Sequence, residues 1–283
     1  MQHIYVNFKR FDVPSTFGGV NRLGDLKSFS KTVIDNTIKT LETYDSSKVH
    51  FVHYYPEAQL ISAIESVGSS TALSIGSQSV YRSDIVQGKN FGAFTTNLPA
   101  SAVEAIGCSS TIIGHCEERA DFNGLLALGG NKDRKVVNTI LNDEIKLAQK
   151  HNLQVLYCIG EKAEEVDDWE AVLTEQLEIG LKDCDLSNVV IAYEPVWSIG
   201  PGKTPADKPY ITKVAKLIKE VIGAEVAVIY GGGLKQANAQ MLASIDEIDG
   251  GLIALTRFTG DFGFYPEEYL EIISLYMDAK NNK

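Results

Sequence analysis

The chain has 283 residues, of which 44% are hydrophobic, and 26 Lys+Arg against 37 Asp+Glu give a formal net charge of −11. This hydrophobic fraction excludes a disordered chain, and the acidic balance argues against a nucleic-acid backbone or an anionic membrane as the main partner. No segment approaches the ~18 consecutive apolar residues of a membrane-spanning helix, and the N-terminus lacks the pattern of a secretory signal.

Short apolar runs alternate with longer periodic stretches. The runs predict eight strands, at residues 3–8, 49–54, 72–76, 110–114, 154–159, 189–193, 226–230 and 250–255. The stretches carry apolar residues at steps of three and four, which predicts helices at residues 26–44, 56–67, 138–150, 169–182, 208–222 and 237–244. Two stretches with neither pattern are predicted to be irregular loops that follow strands, residues 81–99 and 118–134.

This alternation predicts parallel strands joined by right-handed crossovers. An open doubly wound sheet and a closed barrel both fit it, but eight units is the number that closes a barrel. No linker and no shift in composition divides the chain. The sequence therefore predicts an α/β fold with a single (β/α)8 barrel domain over residues 1–283, whose active site is built from loops at the carboxyl ends of the strands.

Two predicted strand ends carry candidate catalytic side chains. His115 directly follows the fourth strand, with Glu117 close behind; beside a helix N-terminus a neutral imidazole is favoured, which can donate to a carbonyl oxygen. Its alternative role is to cap that helix. Glu194 leaves the sixth strand and precedes a Gly/Pro segment with stiff ends, as expected for a mobile lid. A carboxylate that such a lid shields from water becomes a useful general base; the alternative is an incidental carboxylate in a surface loop.

Other strand ends suggest a site for an anion. Residues 231–233 are three glycines after the seventh strand, where backbone N–H groups can approach a phosphate, although such a turn can also be a simple tight connection. Lys9, after the first strand, would point into the same opening unless it is a solvated surface charge. Residues 200–204, G-P-G-K-T, do not form a nucleotide-binding P-loop, because Trp197 occupies the position of its first glycine.

Cysteine and histidine spacing gives no metal motif. The four cysteines, Cys108, Cys116, Cys158 and Cys184, have no C-x-x-C spacing and are interpreted as reduced thiols of a cytoplasmic protein. His50 and His53 lie three apart on a predicted strand and should face opposite sides, so they cannot share one ion.

Taken together, these segments resemble the triosephosphate isomerase family, in order and over nearly the whole chain. Three segments match the family in full: G-A-F-T at residues 92–95, C-I-G-E at 158–161 and A-Y-E-P-V-W at 192–197. Y-G-G at residues 230–232 matches as well. Three more differ slightly: N-F-K at residues 7–9 resembles N-W-K, G-H-C-E at 114–117 resembles G-H-S-E, and S-I-G-P-G-K-T at 198–204 resembles A-I-G-T-G-K-T.

The resemblance implies roles for the catalytic residues. Glu194 is the base that moves a proton between adjacent carbons, and His115 polarises the carbonyl oxygen. Lys9 offsets the negative charge, Asn7 supports the same oxygen, and Glu117 holds the network in place.

The resemblance also implies a substrate and an assembly. Backbone groups of Gly200, Gly232 and Gly233 face the phosphate of a small phosphorylated sugar. The family needs neither a metal nor an organic cofactor and is typically a homodimer. The default substrate pair is glyceraldehyde 3-phosphate and dihydroxyacetone phosphate.

Several positions depart from the family pattern. Residues 253–258 read I-A-L-T-R-F where the family has V-G-G-A-S-L, so Leu255 places a bulky side chain near the phosphate, or the loop must move. Arg257 is a candidate compensating charge, or else a surface arginine. Gly233 replaces a serine, and the loop at residues 78–92, which in the family reaches the partner subunit, is longer. These changes keep open a four-carbon tetrulose phosphate as substrate, and a silent barrel that binds a sugar phosphate or a protein.

Overall fold

The computed structural model describes residues 1–200 and 202–282. Its parallel strands form a closed barrel in chain order, and β8 pairs with β1 through His3 and Gly250. That pairing confirms the (β/α)8 barrel and excludes the open sheet. The strands are β1 (Gln2–Asn7), β2 (Val49–Tyr55), β3 (Ser74–Ser77), β4 (Ser110–Ile113), β5 (Gln154–Ile159), β6 (Val189–Tyr193), β7 (Ala227–Tyr230) and β8 (Gly250–Ile253).

Helices cover the outside of the barrel, and they are more numerous than the sequence pattern predicts. They are α1 (Phe29–Leu41), α2 (Glu57–Val67), α3 (Ala100–Ile106), α4 (Cys116–Leu128), α5 (Arg134–Lys150), α6 (Trp169–Gly180), α7 (Lys208–Ile222), α8 (Ala239–Ala243) and α9 (Pro266–Asn281). Within the described residues, no helix is long and apolar enough to span a bilayer.

The prediction of an irregular stretch at residues 118–134 is wrong. Helix α4 runs to Leu128, and α5 begins at Arg134, capped by the Asp133 side chain. The pattern was hidden because α4 buries only Arg119 and leaves Leu125 and Leu128 exposed, so it has no apolar stripe. Residues 81–99 contain no helix or strand, as predicted.

Alternate residues of each strand supply two separate cores. On β1, Ile4 and Val6 pack outward against the helices, whereas Tyr5 points into the barrel. The two histidines of β2 face opposite sides of the strand, as predicted. His50 is hydrogen-bonded to the inward Tyr5 hydroxyl at 3.1 Å, and His53 is hydrogen-bonded to the Tyr269 hydroxyl of α9 at 3.1 Å. Burial lowers the pKa of His53 to about 3, so it stays neutral in the core.

Closure of the barrel depends on a glycine. Gly250 has φ +153°, and a Cβ there would lie 1.8 Å from the His3 carbonyl oxygen. Any other residue would push β8 away from β1 and so displace the loops that follow both strands.

Candidate active site

Glu194 and His115 lie side by side at the carboxyl ends of β6 and β4. His115 Nε2 is 3.2 Å from Glu194 Oε1, and the two residues are 8% and 2% exposed. Each lies at the end of its strand, so the barrel geometry fixes both backbones. The structure therefore brings the predicted base and the predicted imidazole within 3.2 Å of each other, with both side chains buried.

The surroundings of His115 favour one tautomer. The backbone N–H of Glu117 donates to His115 Nδ1 at 3.3 Å, which makes this imidazole the N-cap of α4. With Nδ1 as an acceptor, the ring proton lies on Nε2, the nitrogen that lies 3.2 Å from Glu194 Oε1. His115 thus caps a helix and faces the base at the same time, so the two roles that the sequence left open are compatible.

The N-terminus of α4 also holds the base itself. The backbone N–H of Cys116, the first residue of α4, donates to Glu194 Oε2 at 2.9 Å. This hydrogen bond fixes the orientation of the Glu194 carboxyl group at the N-terminus of α4. Gly231, after β7, leaves the room for it, because a Cβ there would lie 2.7 Å from Glu194 Cγ.

Lys9, Asn7 and Glu117 form the other side of the site. Lys9 Nζ is 2.5 Å from Glu117 Oε1, and the backbone N–H of Lys9 donates to Asn7 Oδ1 at 3.0 Å. Although partial burial opposes it, the Lys9 ammonium lowers the pKa of Glu117, so this carboxylate stays ionised. The structure thus places Glu117 as the partner of Lys9.

Gln78 positions this group, although no sequence motif singled it out. Its side-chain amide donates to Asn7 Oδ1 at 3.2 Å and to the Lys9 carbonyl oxygen at 3.0 Å. Lys9 itself has φ +42°, a conformation that costs energy for a residue with a side chain. Contacts from Gln78, after β3, therefore hold a strained lysine at the end of β1.

Glu161 ties together the two ends of the predicted lid. Its Oε1 accepts hydrogen bonds from the Tyr193 hydroxyl at 2.9 Å, from Trp197 Nε1 at 2.6 Å and from the Tyr210 hydroxyl at 3.1 Å. Trp197 begins the lid, and Tyr210 lies in α7, just after the lid ends. Burial raises the pKa of Glu161, and these three donors oppose the rise. Only its place in the C-I-G-E segment marked this residue in the sequence.

The glycine turn after β7 presents free backbone donors. The N–H groups of Gly232 and Gly233 have no acceptor among residues 1–200 and 202–282, and Gly233 has φ +97°. Successive N–H groups in such a turn form a concave site for an anion. Leu255, half-buried after β8, also has a backbone N–H without an acceptor in the described part of the chain.

Unlike the N–H groups of the glycine turn, the Arg257 side chain is already bound to other side chains. The Arg257 guanidinium pairs with Glu268 of α9 at 2.6 Å and stacks on Tyr265 at 3.5 Å, so its charge is already engaged.

In the lid, Gly200 has φ +115° with open space around it. The neighbouring predicted lid residue, Pro201, lies outside the described residues.

His115, Cys116 and Glu194 could in principle hold a metal ion, since one ligand atom of each lies within 4.8 Å of the others. A thiol must ionise to bind a metal. Burial, and then the Glu194 carboxylate, raise the pKa of Cys116 to about 12, which disfavours the thiolate at neutral pH.

A cavity of about 510 Å³ adjoins the catalytic groups and is lined on one side by Asn7, Lys9 and His115. Its far side is acidic and includes Glu118 and Glu144. Glu144 is 2% exposed, and its Oε2 has no hydrogen-bond partner in the described part of the chain. Burial and then the Glu118 charge raise the pKa of Glu144.

The barrel and this site define a class of protein: a (β/α)8-barrel enzyme in which a buried carboxylate and an imidazole lie 3.2 Å apart at the carboxyl ends of the strands. The profile of the triosephosphate isomerase family matches residues 25–273. The chain belongs to the triosephosphate isomerase family and is an isomerase of the intramolecular oxidoreductase type.

Individual relatives agree with this assignment. The chain is 37% identical to the triosephosphate isomerase of Pelodictyon phaeoclathratiforme over 61% of this chain and 68% of that protein. It is 33% identical to the enzyme of Chloroherpeton thalassium over 75% of this chain and 79% of the relative. The crystal structure of triosephosphate isomerase from Bartonella henselae superposes with a TM-score of 0.71 at 23% identity, covering 98% of this chain and 99% of that one, which supports the fold.

Proposed function

We propose that this protein interconverts glyceraldehyde 3-phosphate and dihydroxyacetone phosphate without a metal or an organic cofactor. The observation that carries the proposal is the 3.2 Å contact between Glu194 Oε1 and His115 Nε2. An aldose–ketose isomerisation needs a base at the carbon and a hydrogen-bond donor at the oxygen, and these two groups supply both at one place.

The proton movements follow from the contacts. The substrate carbonyl oxygen accepts a hydrogen bond from the His115 Nε2–H. Glu194 then removes a proton from the carbon beside the carbonyl, and the electron pair of that C–H bond forms the C=C bond of an enediolate. Glu194 returns the same proton to the neighbouring carbon, while a proton passes between the two oxygens through His115.

Neutralisation of the developing charge and exclusion of water complete the proposed mechanism. Lys9 lies beside the same opening and neutralises the enediolate oxygen, with Asn7 supporting it and Glu117 holding the lysine. An enediolate phosphate readily loses phosphate in water, so the reaction needs a lid, which here is the segment anchored by Glu161. Backbone N–H groups of Gly232, Gly233, Leu255 and the lid residue Gly200 are proposed to bind the phosphate.

A four-carbon tetrulose phosphate is the second candidate substrate. It is favoured by the loop after β8, where Leu255 replaces a family glycine and Arg257 forms a bridge with Gly263 that closes a turn. A rebuilt phosphate loop changes pocket contacts while it leaves the base and imidazole in place, which is how substrate specificity diverges.

Steady-state kinetics test the choice of substrate. Glyceraldehyde 3-phosphate is compared with erythrose 4-phosphate and erythrulose 1-phosphate at equal enzyme concentration. A kcat/KM for the triose near the diffusional limit of ~10⁸ M⁻¹s⁻¹ supports the first candidate. Good tetrose turnover with poor triose turnover supports the second, and turnover of none contradicts both.

We also propose that the chain works as a homodimer in the cytoplasm. Support for the dimer comes from apolar side chains exposed in the long loop after β3: Ile85 at 44%, Val86 at 40% and Phe91 at 83%. Four unpaired thiols fit a reducing compartment. Light scattering on the intact chain measures the mass directly, and Phe91→Ser should weaken association if this loop lies at the interface.

A further inference from the structure

Lys235 is a cation at the carboxyl end of the barrel that has no role in the chemistry described above. It lies four residues after Gly231, whose backbone borders the Glu194 side chain. Its ammonium lies over the ring of Phe258, 5.4 Å from the centroid, and so joins the loops after β7 and β8. Within the described residues, Lys235 forms no ion pair with a carboxylate, whereas Lys9 and Arg257 are both paired.

The backbone of this turn is fixed, while its anion-binding face is free. The Asn238 side chain accepts from the Lys235 N–H at 2.8 Å and donates to the Gly233 carbonyl oxygen at 2.9 Å. These two hydrogen bonds fix the backbone between Gly233 and Lys235. The N–H groups of Gly232 and Gly233 find no acceptor in residues 1–200 and 202–282.

A phosphate needs more than backbone dipoles at this place. Its charge at neutral pH is close to that of a dianion, and an ammonium group supplies a full positive charge to it. Arg257 is already held by Glu268 at 2.6 Å. Among the described residues, the Lys235 ammonium contacts the exposed ring of Phe258, a weak interaction that an anion can displace.

We propose that Lys235 binds the phosphate group of the substrate, with Phe258 holding the ammonium in place until the substrate arrives. Lys235 would therefore determine affinity for phosphorylated substrates and leave proton transfer to Glu194 and His115. This inference deepens the proposed function and rests on it, since it assigns the charge that binds the substrate of the same site.

The test compares Lys235→Met with Lys150→Met, which removes an equal charge from the exposed end of α5, at the opposite end of the barrel. For Lys235→Met, we expect KM for the preferred sugar phosphate, and the competitive inhibition constant of inorganic phosphate, to rise about 10- to 100-fold. We expect kcat to change by less than about threefold, since no group that moves the proton is altered. Lys150→Met should match the wild type.

Three further variants serve as controls for misfolding and for effects other than the loss of charge. Lys235→Arg keeps the charge and should recover most of the phosphate affinity, whereas Lys235→Gln should behave like Lys235→Met. Phe258→Leu removes the ring but keeps the lysine, so it should raise KM less than Lys235→Met does. Thermal unfolding of each variant checks that the barrel is intact.

The outcomes separate this inference from the proposed function. An unchanged inhibition constant for inorganic phosphate in a folded Lys235→Met variant overturns the inference while the isomerase assignment stands. A fall in kcat with unchanged KM overturns it too. If the wild type turns over no sugar phosphate, the proposed function fails, and phosphate binding measured by calorimetry on wild type and Lys235→Met still decides the role of Lys235.

Discussion

The backbone N–H of Cys116 donates a 2.9 Å hydrogen bond to Oε2 of Glu194, so the first residue of α4 holds the carboxylate that we propose as the base. The contact uses the backbone alone, which explains how cysteine can stand where the family has serine. We therefore expect exchange of the Cys116 side chain to leave kcat/KM nearly unchanged, whereas removal of the Cys116 N–H should lower it.

Cys116→Pro removes this donor without breaking the helix. Proline is tolerated at the first helical position, and His115 has φ −51° and ψ 146°, a conformation compatible with a following proline. Loss of a hydrogen bond to a charged group is worth about 1.5–3 kcal/mol. We expect kcat/KM to fall about 10- to 100-fold, because the Glu194 carboxylate loses a hydrogen-bond donor.

Cys116→Ala is the matched control for this substitution. It deletes the thiol and keeps the N–H, so its kcat/KM should stay within about threefold of the wild type, given the small effect expected of a lost thiol contact. Equal activity of the proline and alanine variants would contradict the assignment of the N–H as a support for the base.

Glu194→Gln tests whether the barrel is catalytic or silent. The amide has the size of the carboxylate but cannot accept the substrate proton. We expect kcat to fall by about 10²- to 10⁴-fold, the usual contribution of a general base. Binding of inorganic phosphate, followed by calorimetry, should persist. Retention of wild-type turnover would exclude Glu194 as the base.

Tyr210→Phe tests the anchoring of the lid by Glu161. The variant loses the 3.1 Å bond to Glu161 Oε1 and so loosens the connection between the lid and α7. Tyr276→Phe is a matched control, because it loses a 2.8 Å bond to Gln2 at the far end of the barrel. Since lid motion often limits turnover, we expect kcat to fall about 3- to 10-fold in Tyr210→Phe only. A similar fall in both variants would mean that the loss is one of general stability.

Glu144→Gln should stabilise the protein in a pH-dependent way. Burial, and then the Glu118 charge, raise the pKa of the Glu144 carboxyl above its ordinary 4.5, so the folded state binds a proton that the unfolded state releases. Wild-type stability should therefore fall as the pH rises above 4.5, and the neutral glutamine escapes this loss. We expect Glu144→Gln to gain about 1–3 kcal/mol in free energy of unfolding at pH 8 and to equal the wild type at pH 4.

Urea unfolding at the two pH values measures this difference. Glu178→Gln is the control, because Glu178 is exposed on α6, so this variant should keep the wild-type dependence of stability on pH. A difference between Glu144→Gln and wild type that is the same at pH 4 and pH 8 would contradict the argument.

The alternation of strand and helix patterns, together with the count of eight strands, predicted the barrel. Strands buried on both faces read as continuous apolar runs, such as β5 and β6, whose limits agree with the prediction. The pattern failed where burial is one-sided or weak. Helix α4 buries only Arg119, so its sequence lacks the periodicity that reveals a helix.

The sequence by itself determined which residue types stand at the strand ends, because a strand and the residue that follows it are consecutive in the chain. Glu194, His115, Lys9 and the glycine turn can therefore be recognised from the order of residues alone. Only the tertiary structure decided what these residues contact. Gln78 reaches Asn7 from 71 residues away, Glu161 joins both ends of the lid, and Arg257 is held by Glu268 instead of lying free. Such contacts depend on the closure of the barrel, which brings distant strand ends to one opening. No local pattern in the chain encodes which of these distant residues come into contact.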